Sequence, residues 1–162
     1  MYAKLSRLYA EIIGISLLMC GYIGGVMGAV QVENPYARII PGQPNGAVFM
    51  TLHNNNVKEQ TLVAAKSSIA QAVELHTHTM DGGMMRMRRI DKIKIPKNSK
   101  VTLQPGGLHI MLIGLRHDQI TIGESFSLTL TYQDGTQQTL QVPIPDMATH
   151  HHTHMMHREH MQ

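Results

Sequence analysis

The apolar and polar positions after residue 30 follow the short period of β-structure. Residues 72–79 (AVELHTHT) alternate as a half-buried strand does, residues 108–115 (LHIMLIGL) form an apolar run of strand length, and no helical stripe follows residue 35. Asp81-Gly82-Gly83 and Gln133-Asp134-Gly135 are hairpin turn signals. Strands are predicted at residues 47–53, 60–65, 72–79, 84–90, 92–95, 100–103, 108–115, 125–132 and 139–142. This pattern predicts an all-β domain, either a sandwich or a Greek-key barrel.

The first 29 residues have a different pattern, which is typical of a secretory signal helix. Lys4 and Arg7 precede a long apolar run, and small residues at Gly28 and Ala29 offer a cleavage site. The length of the run leaves an uncleaved N-terminal membrane anchor as the alternative. A lipoprotein cleavage box ending at Cys20 is a weaker alternative, because Met19 stands where a small residue is expected.

The last 16 residues (MATHHHTHMMHREHMQ) show no apolar periodicity. Such a segment cannot bury enough apolar surface to offset the entropy of ordering, so a disordered tail is predicted. The expected organisation is a signal peptide or anchor at 1–29, one β-domain at 30–146 and a His/Met-rich tail at 147–162. Tyr and Phe are few and Trp is absent, so the core is expected to consist of Val, Ile, Leu and Met.

Methionine and histidine are both unusually frequent, with 13 Met and 11 His in 162 residues. Thioether and imidazole are ligands that suit copper, and thioether favours the soft Cu(I) ion. Methionine can also fill gaps in a core, but that role does not explain the histidines. The net charge is +3, and the basic residues do not form a stripe with interleaved aromatic residues. Nucleic-acid binding is therefore not expected.

Cys20 is the only cysteine, and it lies within the leader. Removal of the leader would leave no thiol, which excludes a zinc finger, a cysteine nucleophile and a blue-copper centre. Methionine and histidine ligands have the advantage in an oxidising compartment that they cannot be lost to disulfide formation.

Four candidate ligands arise from strand geometry. His109 and Met111 are two residues apart on one predicted strand, so their side chains share a face. His76 and Met87 lie on the two strands of the predicted hairpin, which can bring them within ligand distance. Spacing alone does not choose among the neighbouring alternatives, which are His78, Met80, Met84 and Met85.

The spacing of these residues resembles that of the periplasmic copper chaperone family (PCuAC). His76 is followed by ten residues and Met87, and Met87 is followed by twenty-one residues and His109-Ile110-Met111. The local context is similar as well, in VELH ending at His76, MMRM ending at Met87, and PGGLHIML around His109. Residues 34–38 and 45–50 are similar to the opening strands of the family, and the resemblance covers about residues 30–145.

The resemblance implies a cupredoxin-like β-barrel with a surface Cu(I) site whose ligands are His76, Met87, His109 and Met111. It also implies a periplasmic protein that delivers copper to the copper-centre subunit of a respiratory oxidase or to another copper-transfer protein. Two imidazoles and two thioethers independently suit a tetrahedral Cu(I) ion.

The tail is expected to form a second site, because some members of the family have a His/Met-rich extension that binds Cu(II). Thr153 and the methionines interrupt the histidines, which argues against an expression tag. The candidate ligands there are His150, His151, His152, His154, Met155, Met156, His157, His160 and Met161.

A copper chaperone is therefore the favoured function, and a copper buffer or resistance protein without a dedicated acceptor is the alternative. A redox enzyme or electron carrier is disfavoured, because no thiolate is expected and four ligands leave no open position for a substrate. No catalytic residues, no cofactor other than copper and no small-molecule substrate are expected. Membrane contact is expected only if the N-terminal segment stays uncleaved.

Overall fold

The computed structural model of the chain describes residues 30–146, which fold into two antiparallel β-sheets. The predicted signal helix and the predicted disordered tail lie outside the described residues. The strands are β1 (Gln31–Arg38), β2 (Asn45–Asn54), β3 (Gln60–Lys66), β4 (Ala70–Asp81), β5 (Met84–Arg89), β6 (Ile93–Ile95), β7 (Ser99–Leu103), β8 (His109–Leu115), β9 (Ser125–Tyr132) and β10 (Gln137–Pro143). A short 3₁₀ helix, His117–Gln119, follows β8. In the described part of the chain, no helix has the length and apolar character needed to cross a membrane.

Six strands form the larger sheet, in the order β1-β2-β8-β4-β5, with β7 also paired to β2. Four strands form the smaller sheet, in the order β10-β9-β3-β6. Every pairing is antiparallel, and strands distant in sequence lie side by side, as when β8 separates β2 from β4. The predicted all-β, cupredoxin-like sandwich is confirmed.

The core lies between the two sheets and consists mainly of branched aliphatic side chains. On β8, Ile110 and Leu112 are fully buried and point into this core. Because side chains alternate along a strand, His109 and Met111 point to the opposite, outer face of the larger sheet. The burial of one face therefore determines which residues can form a site on the other face.

Strand β2 is shared along its length by two partners. Its first half pairs with β8 and its second half with β7, so β7 and β8 follow one another along the same edge of β2. The chain between them forms a closed loop, in which the amide of Gln104 donates to the carbonyl of Leu108 at 2.8 Å. Gly106 has φ +79°, a conformation that a residue with a Cβ rarely adopts. This loop brings the chain back to the sheet directly before His109.

The hairpin predicted at Asp81-Gly82-Gly83 is present. Asp81 and Met84 are paired, and both central glycines have positive φ, as a two-residue type I′ turn requires. The nine predicted strands all occur, and β4 extends beyond its predicted limits in both directions. The alternation pattern did not predict β1, because Asn34 has φ +49° and the pairing with β2 shifts between Glu33 and Tyr36. Only the family resemblance indicated a strand there.

Candidate metal centre

The outer face of the larger sheet brings together the residues that the sequence nominates as ligands. His76 on β4 is directly opposite His109 on β8, and Glu74 is opposite Met111 in the same pairing. On the other side of β4, His78 is opposite Met87 of β5. Directly opposed residues share a face, so these side chains form one continuous patch across three strands.

His109 is the most deeply buried of these side chains, at 2% exposure. Its Nδ1–H donates to the carbonyl of Gly107 at 3.1 Å, so the lone pair of the neutral ring is on Nε2. Nε2 is buried and has no hydrogen-bond partner among the described residues. Burial lowers the pKa of His109, against the opposing effect of the Gly107 carbonyl, and His78 and His76 lower it further. The ring is therefore held neutral with its lone pair available, the state in which imidazole binds a metal.

His76 has the complementary arrangement. Its Nε2 lies 2.9 Å from Oε2 of Glu74, and because a carboxylate can only accept, Nε2 carries the proton. The Nδ1 atom of His76 is buried and has no partner within the described range. Oε1 of Glu74 in turn accepts from Arg89 Nη1 at 3.2 Å. Arg89, Glu74 and His76 thus form a chain that fixes the ring orientation and leaves Nδ1 available.

Sequence reasoning did not identify Glu74 as part of the site. A signal was nevertheless present, because Glu74 is two residues before His76 and must share its face. Carboxylates that hydrogen-bond a metal-binding histidine commonly set its tautomer and raise its basicity. Arg89 is exposed on β5, where it is directly opposite His76, and its guanidinium contacts the carboxylate of Glu74.

The two methionines border a shallow surface cavity of about 220 Å³. Met87, His109 and Met111 line it together with Ile40 and the β1–β2 segment. Met87 is 46% exposed, so its thioether can be reached from solvent. His76 does not line this cavity, but its ring centroid lies 5.7 Å from that of His109. The structure therefore brings three of the four nominated residues to one cavity and places the fourth beside it.

His78 is the nearest competitor for the role of His76. Its ring centroid lies 5.1 Å from that of His109, slightly closer than the ring of His76. Distance therefore does not distinguish the two histidines. The distinction lies in orientation: His76 has a carboxylate on one nitrogen and an unpartnered buried nitrogen on the other, whereas His78 contacts the Gly107 carbonyl only at 3.4 Å.

Aromatic rings close the β1–β2 side of the site. The ring centroid of Phe49 lies 6.3 Å from that of His109, and the ring centroid of Tyr36 lies 5.2 Å from that of Phe49. Phe49 is only 5% exposed although it points to the outer face. These rings exclude water from one side of His109, which explains how a residue on an outer face becomes desolvated.

The donor set decides which ions the patch could hold. Within residues 30–146, no three His, Cys, Asp or Glu side chains converge as possible metal ligands. A metal bound here therefore requires the thioethers in addition to the imidazoles. Thioethers are poor ligands for Mg, Ca and Mn and select Cu(I) among the common ions. The nominated tail ligands at 150–161 lie outside the described residues.

Comparison with known proteins agrees with this fold. Residues 30–144 match the model of the LpqE-like family, described as "Putative lipoprotein LpqE-like". The chain belongs to the LpqE-like family. The chain is also similar to "Putative lipoprotein Lxx21020" of Leifsonia xyli, with 32% identity over 120 residues, which is 74% of this chain and 71% of that protein. "Uncharacterized protein RP573" of Rickettsia prowazekii is 31% identical over 121 residues, covering 72% of this chain and 66% of that protein.

Solved structures similar to this LpqE-like chain include PCuAC domains. The copper-bound PCuAC domain from PmoF2 has a TM-score of 0.60 and 24% identity, and the match covers 72% of this chain and 95% of that domain. The Cu(I) form of DR1885 from Deinococcus radiodurans has a TM-score of 0.59 and 29% identity, with 76% of this chain and 83% of that one covered. The resemblance to the PCuAC family that the sequence indicates is thereby confirmed.

The chain from Arg89 through Glu74 to His76 leads to a prediction. Replacing Glu74 by Ala should release Nε2 of His76, so that the ring populates both tautomers and both orientations. We expect the affinity of the site for Cu(I) to fall about 10–100-fold, the usual cost of removing a residue that orients a metal-binding histidine. Anaerobic competition with a chromogenic Cu(I) chelator measures the affinity, and ¹⁵N chemical shifts of the metal-free protein report the tautomer.

Glu33 provides the matched control, because it makes the same kind of contact with His53, at 3.2 Å, away from the site. Glu33→Ala should leave Cu(I) affinity unchanged. Equal affinities for Glu74→Ala and Glu33→Ala would show that Glu74 does not orient a ligand.

Proposed function

We propose that this protein is a copper chaperone that binds one Cu(I) ion through His76, Met87, His109 and Met111 and passes it to an acceptor protein. The observation that carries the proposal is the pair of buried imidazole nitrogens, His76 Nδ1 and His109 Nε2, which have no partner among the described residues. Burying such groups costs free energy unless something occupies them. Both rings are oriented by hydrogen bonds on their other nitrogen, the arrangement that metal-binding histidines commonly have.

Transfer as the purpose of binding is supported by the exposure of the site. The cavity opens to solvent, and Met87 lies on the edge strand β5, where a partner can approach. All four ligands are neutral when bound, so exchanging one of them for a neutral ligand of the acceptor leaves the net charge of the complex unchanged. A permanent structural metal would be better served by an enclosed site. The role is binding and transfer rather than catalysis.

The acceptor that we propose is the copper-centre subunit of a respiratory oxidase, or another copper-transfer protein. The proposed location is the periplasm, after export directed by residues 1–29. Support comes from the family: solved relatives of the same fold are described as PCuAC domains, and the curated relative from Leifsonia xyli is described as a lipoprotein. The tail at 147–162 is proposed to recruit Cu(II), because a flexible imidazole-rich segment suits that ion.

The first test is of the ligand set. Met87→Leu and Met111→Leu each remove a sulfur while keeping the volume of the side chain, so each should weaken Cu(I) binding by at least about 100-fold, beyond the range of an orienting residue. His76→Gln should do the same, and His78→Gln should leave the tight equivalent in place. Anaerobic titration against a competing chelator measures all four variants.

Met84→Leu is the control for the methionines, since Met84 is exposed on the same strand as Met87 but points to its other face. Tight binding that survives both Met87→Leu and Met111→Leu would contradict the proposed ligand set. If His78→Gln weakens Cu(I) binding and His76→Gln does not, the ligand is His78 and not His76.

A second test separates a chaperone from a buffer. A chaperone forms a docked complex, so the rate of Cu(I) transfer should rise with the concentration of a metal-free acceptor domain and then saturate. A buffer releases copper first, so its transfer rate should equal the dissociation rate and should not depend on acceptor concentration. Stopped-flow measurement with the copper-binding domain of an oxidase subunit distinguishes the two, with an unrelated tight Cu(I) chelator as the control acceptor.

A third test concerns the tail. Deletion of residues 147–162 should lower the Cu(II) stoichiometry of the protein and leave the tight Cu(I) equivalent of the β-domain unchanged. Equilibrium dialysis with Cu(II), and Cu(I) competition on the same samples, measure the two quantities. An unchanged Cu(II) stoichiometry after deletion would exclude the tail as a copper site.

A further inference from the structure

Exposed methionines are concentrated on the β4–β5 hairpin. Seven large hydrophobic side chains are exposed in the described part of the chain, and four of them are methionines of this hairpin, namely Met80, Met84, Met85 and Met87. Met80 and Met85 are more exposed than Met87, at 69% and 61%. A single exposed apolar residue needs no explanation, but a cluster of one chemical type does. None of these four methionines belongs to the hydrophobic core or packs against it. Their thioethers are instead accessible to a ligand from solvent.

The strand register arranges the cluster into a donor set. His78 is opposite Met87, and Met80 is opposite Met85 in the next pair toward the turn. Both pairs lie on the same face, because the residues of each strand are two apart. Opposed Cβ atoms are about 5 Å apart, and successive pairs on one face are separated by roughly 7 Å, so one imidazole and three flexible thioethers can converge on one ion. Met84 points to the opposite face.

This donor set adjoins the site described above. Met87 lines the same cavity as His109 and Met111, and the ring of His78 lies 5.1 Å from that of His109. Met87 therefore belongs both to the site described above and to this outer donor set. Along β4, His76 of the first group is followed by His78 and Met80 of the second, toward the tip of the hairpin.

We propose that His78, Met80 and Met85, together with the shared Met87, form a second Cu(I) site on the hairpin, outside the site of His76, Met87, His109 and Met111. This inference rests on the proposed function only in that the bound ion is the same. One imidazole and three thioethers form a soft, neutral donor set that suits Cu(I). Exposed methionines lose rotamer freedom when they bind, so the outer site is weaker than the inner one.

The outer site gives copper a route in and out. Cu(I) bound there keeps Met87 as a ligand while His109, Met111 and His76 replace the three outer donors in turn. The ion remains Cu(I) throughout, no electron or proton is transferred, and only metal–ligand bonds are exchanged. Copper release runs through the same steps in reverse and ends at the hairpin tip, where Met80 is accessible to the ligands of an acceptor.

The test uses the full chain, metal-free and labelled with ¹³C at the methionine methyl groups, titrated anaerobically with Cu(I) until no signal moves further. Cu(I) is diamagnetic, so each methionine reports its own occupancy. We expect the Met87 and Met111 signals to move with the first tight equivalent. The Met80 and Met85 signals should move together in a later, weaker step, in which these two residues and His78 hold the second ion while Met87 stays with the first. The Met84 signal should not move. The methyl signals of the tail methionines are followed as a separate group.

Met80→Leu/Met85→Leu is the decisive variant, with Met84→Leu as its matched control. The double variant should lose the later response of the His78 ring, which is followed by ¹⁵N chemical shifts in a parallel titration, and it should keep the first response of Met111. The control should behave as the unmodified protein does. The outer site is refuted if Met80 and Met85 remain unmoved at saturation, if Met84 moves as much as they do, or if the His78 response survives in the double variant. Failure of Met111 to respond in any protein would instead count against the inner site, so the two failures can be told apart.

Discussion

The site depends on the pairing of β4 with β8, which places His76 directly opposite His109. That register is determined on the other side of the sheet, where Leu75, Ile110 and Leu112 pack into the core between the two sheets. A shift of one residue would turn these aliphatic side chains to solvent and the histidines to the core. The free energy of apolar burial on one face thus holds the geometry of the candidate ligands on the other.

Desolvation then gives the histidines their chemical character. Phe49 and Tyr36 cover one side of His109, and the Gly107 carbonyl holds the proton on its Nδ1. Burial lowers the pKa of this ring, so a proton competes less effectively with a metal for Nε2. His76 is instead oriented through Glu74 and Arg89, an ionic chain at the protein surface. Two different environments therefore produce a similar arrangement, in which one ring nitrogen is hydrogen-bonded and the other has no partner among the described residues.

The hairpin methionines lie at the opposite end of the exposure range. Met87 and its neighbours on the hairpin are solvent-exposed, whereas His109 is buried and Met111 is half-buried. The candidate site therefore has a buried imidazole side and a solvent-accessible thioether side. The edge position of β5 contributes to this, because no further strand covers the hairpin in the described part of the chain.

The sequence by itself determined the fold class, nine of the ten strands and both hairpin turns, and its similarity to a known family nominated four ligands. Period-2 alternation and turn residues are local properties, and a same-face pair such as His109 and Met111 follows from strand geometry alone. Strand spacing without that similarity could not choose between His76 and His78, because both lie on the same face of β4. It also missed β1, where a bulge at Asn34 breaks the alternation.

Only the tertiary structure decided what surrounds each ring. The Glu74–Arg89 contact joins two strands of the hairpin, the Gly107 carbonyl reaches His109 from the loop after β7, and Phe49 approaches from β2. These contacts arise from the register between strands and from the order β2-β8-β4-β5, neither of which is encoded in a local pattern. A ligand's residue type is a property of the sequence, but its tautomer, its desolvation and its free nitrogen depend on which side chains from distant segments the fold packs against it.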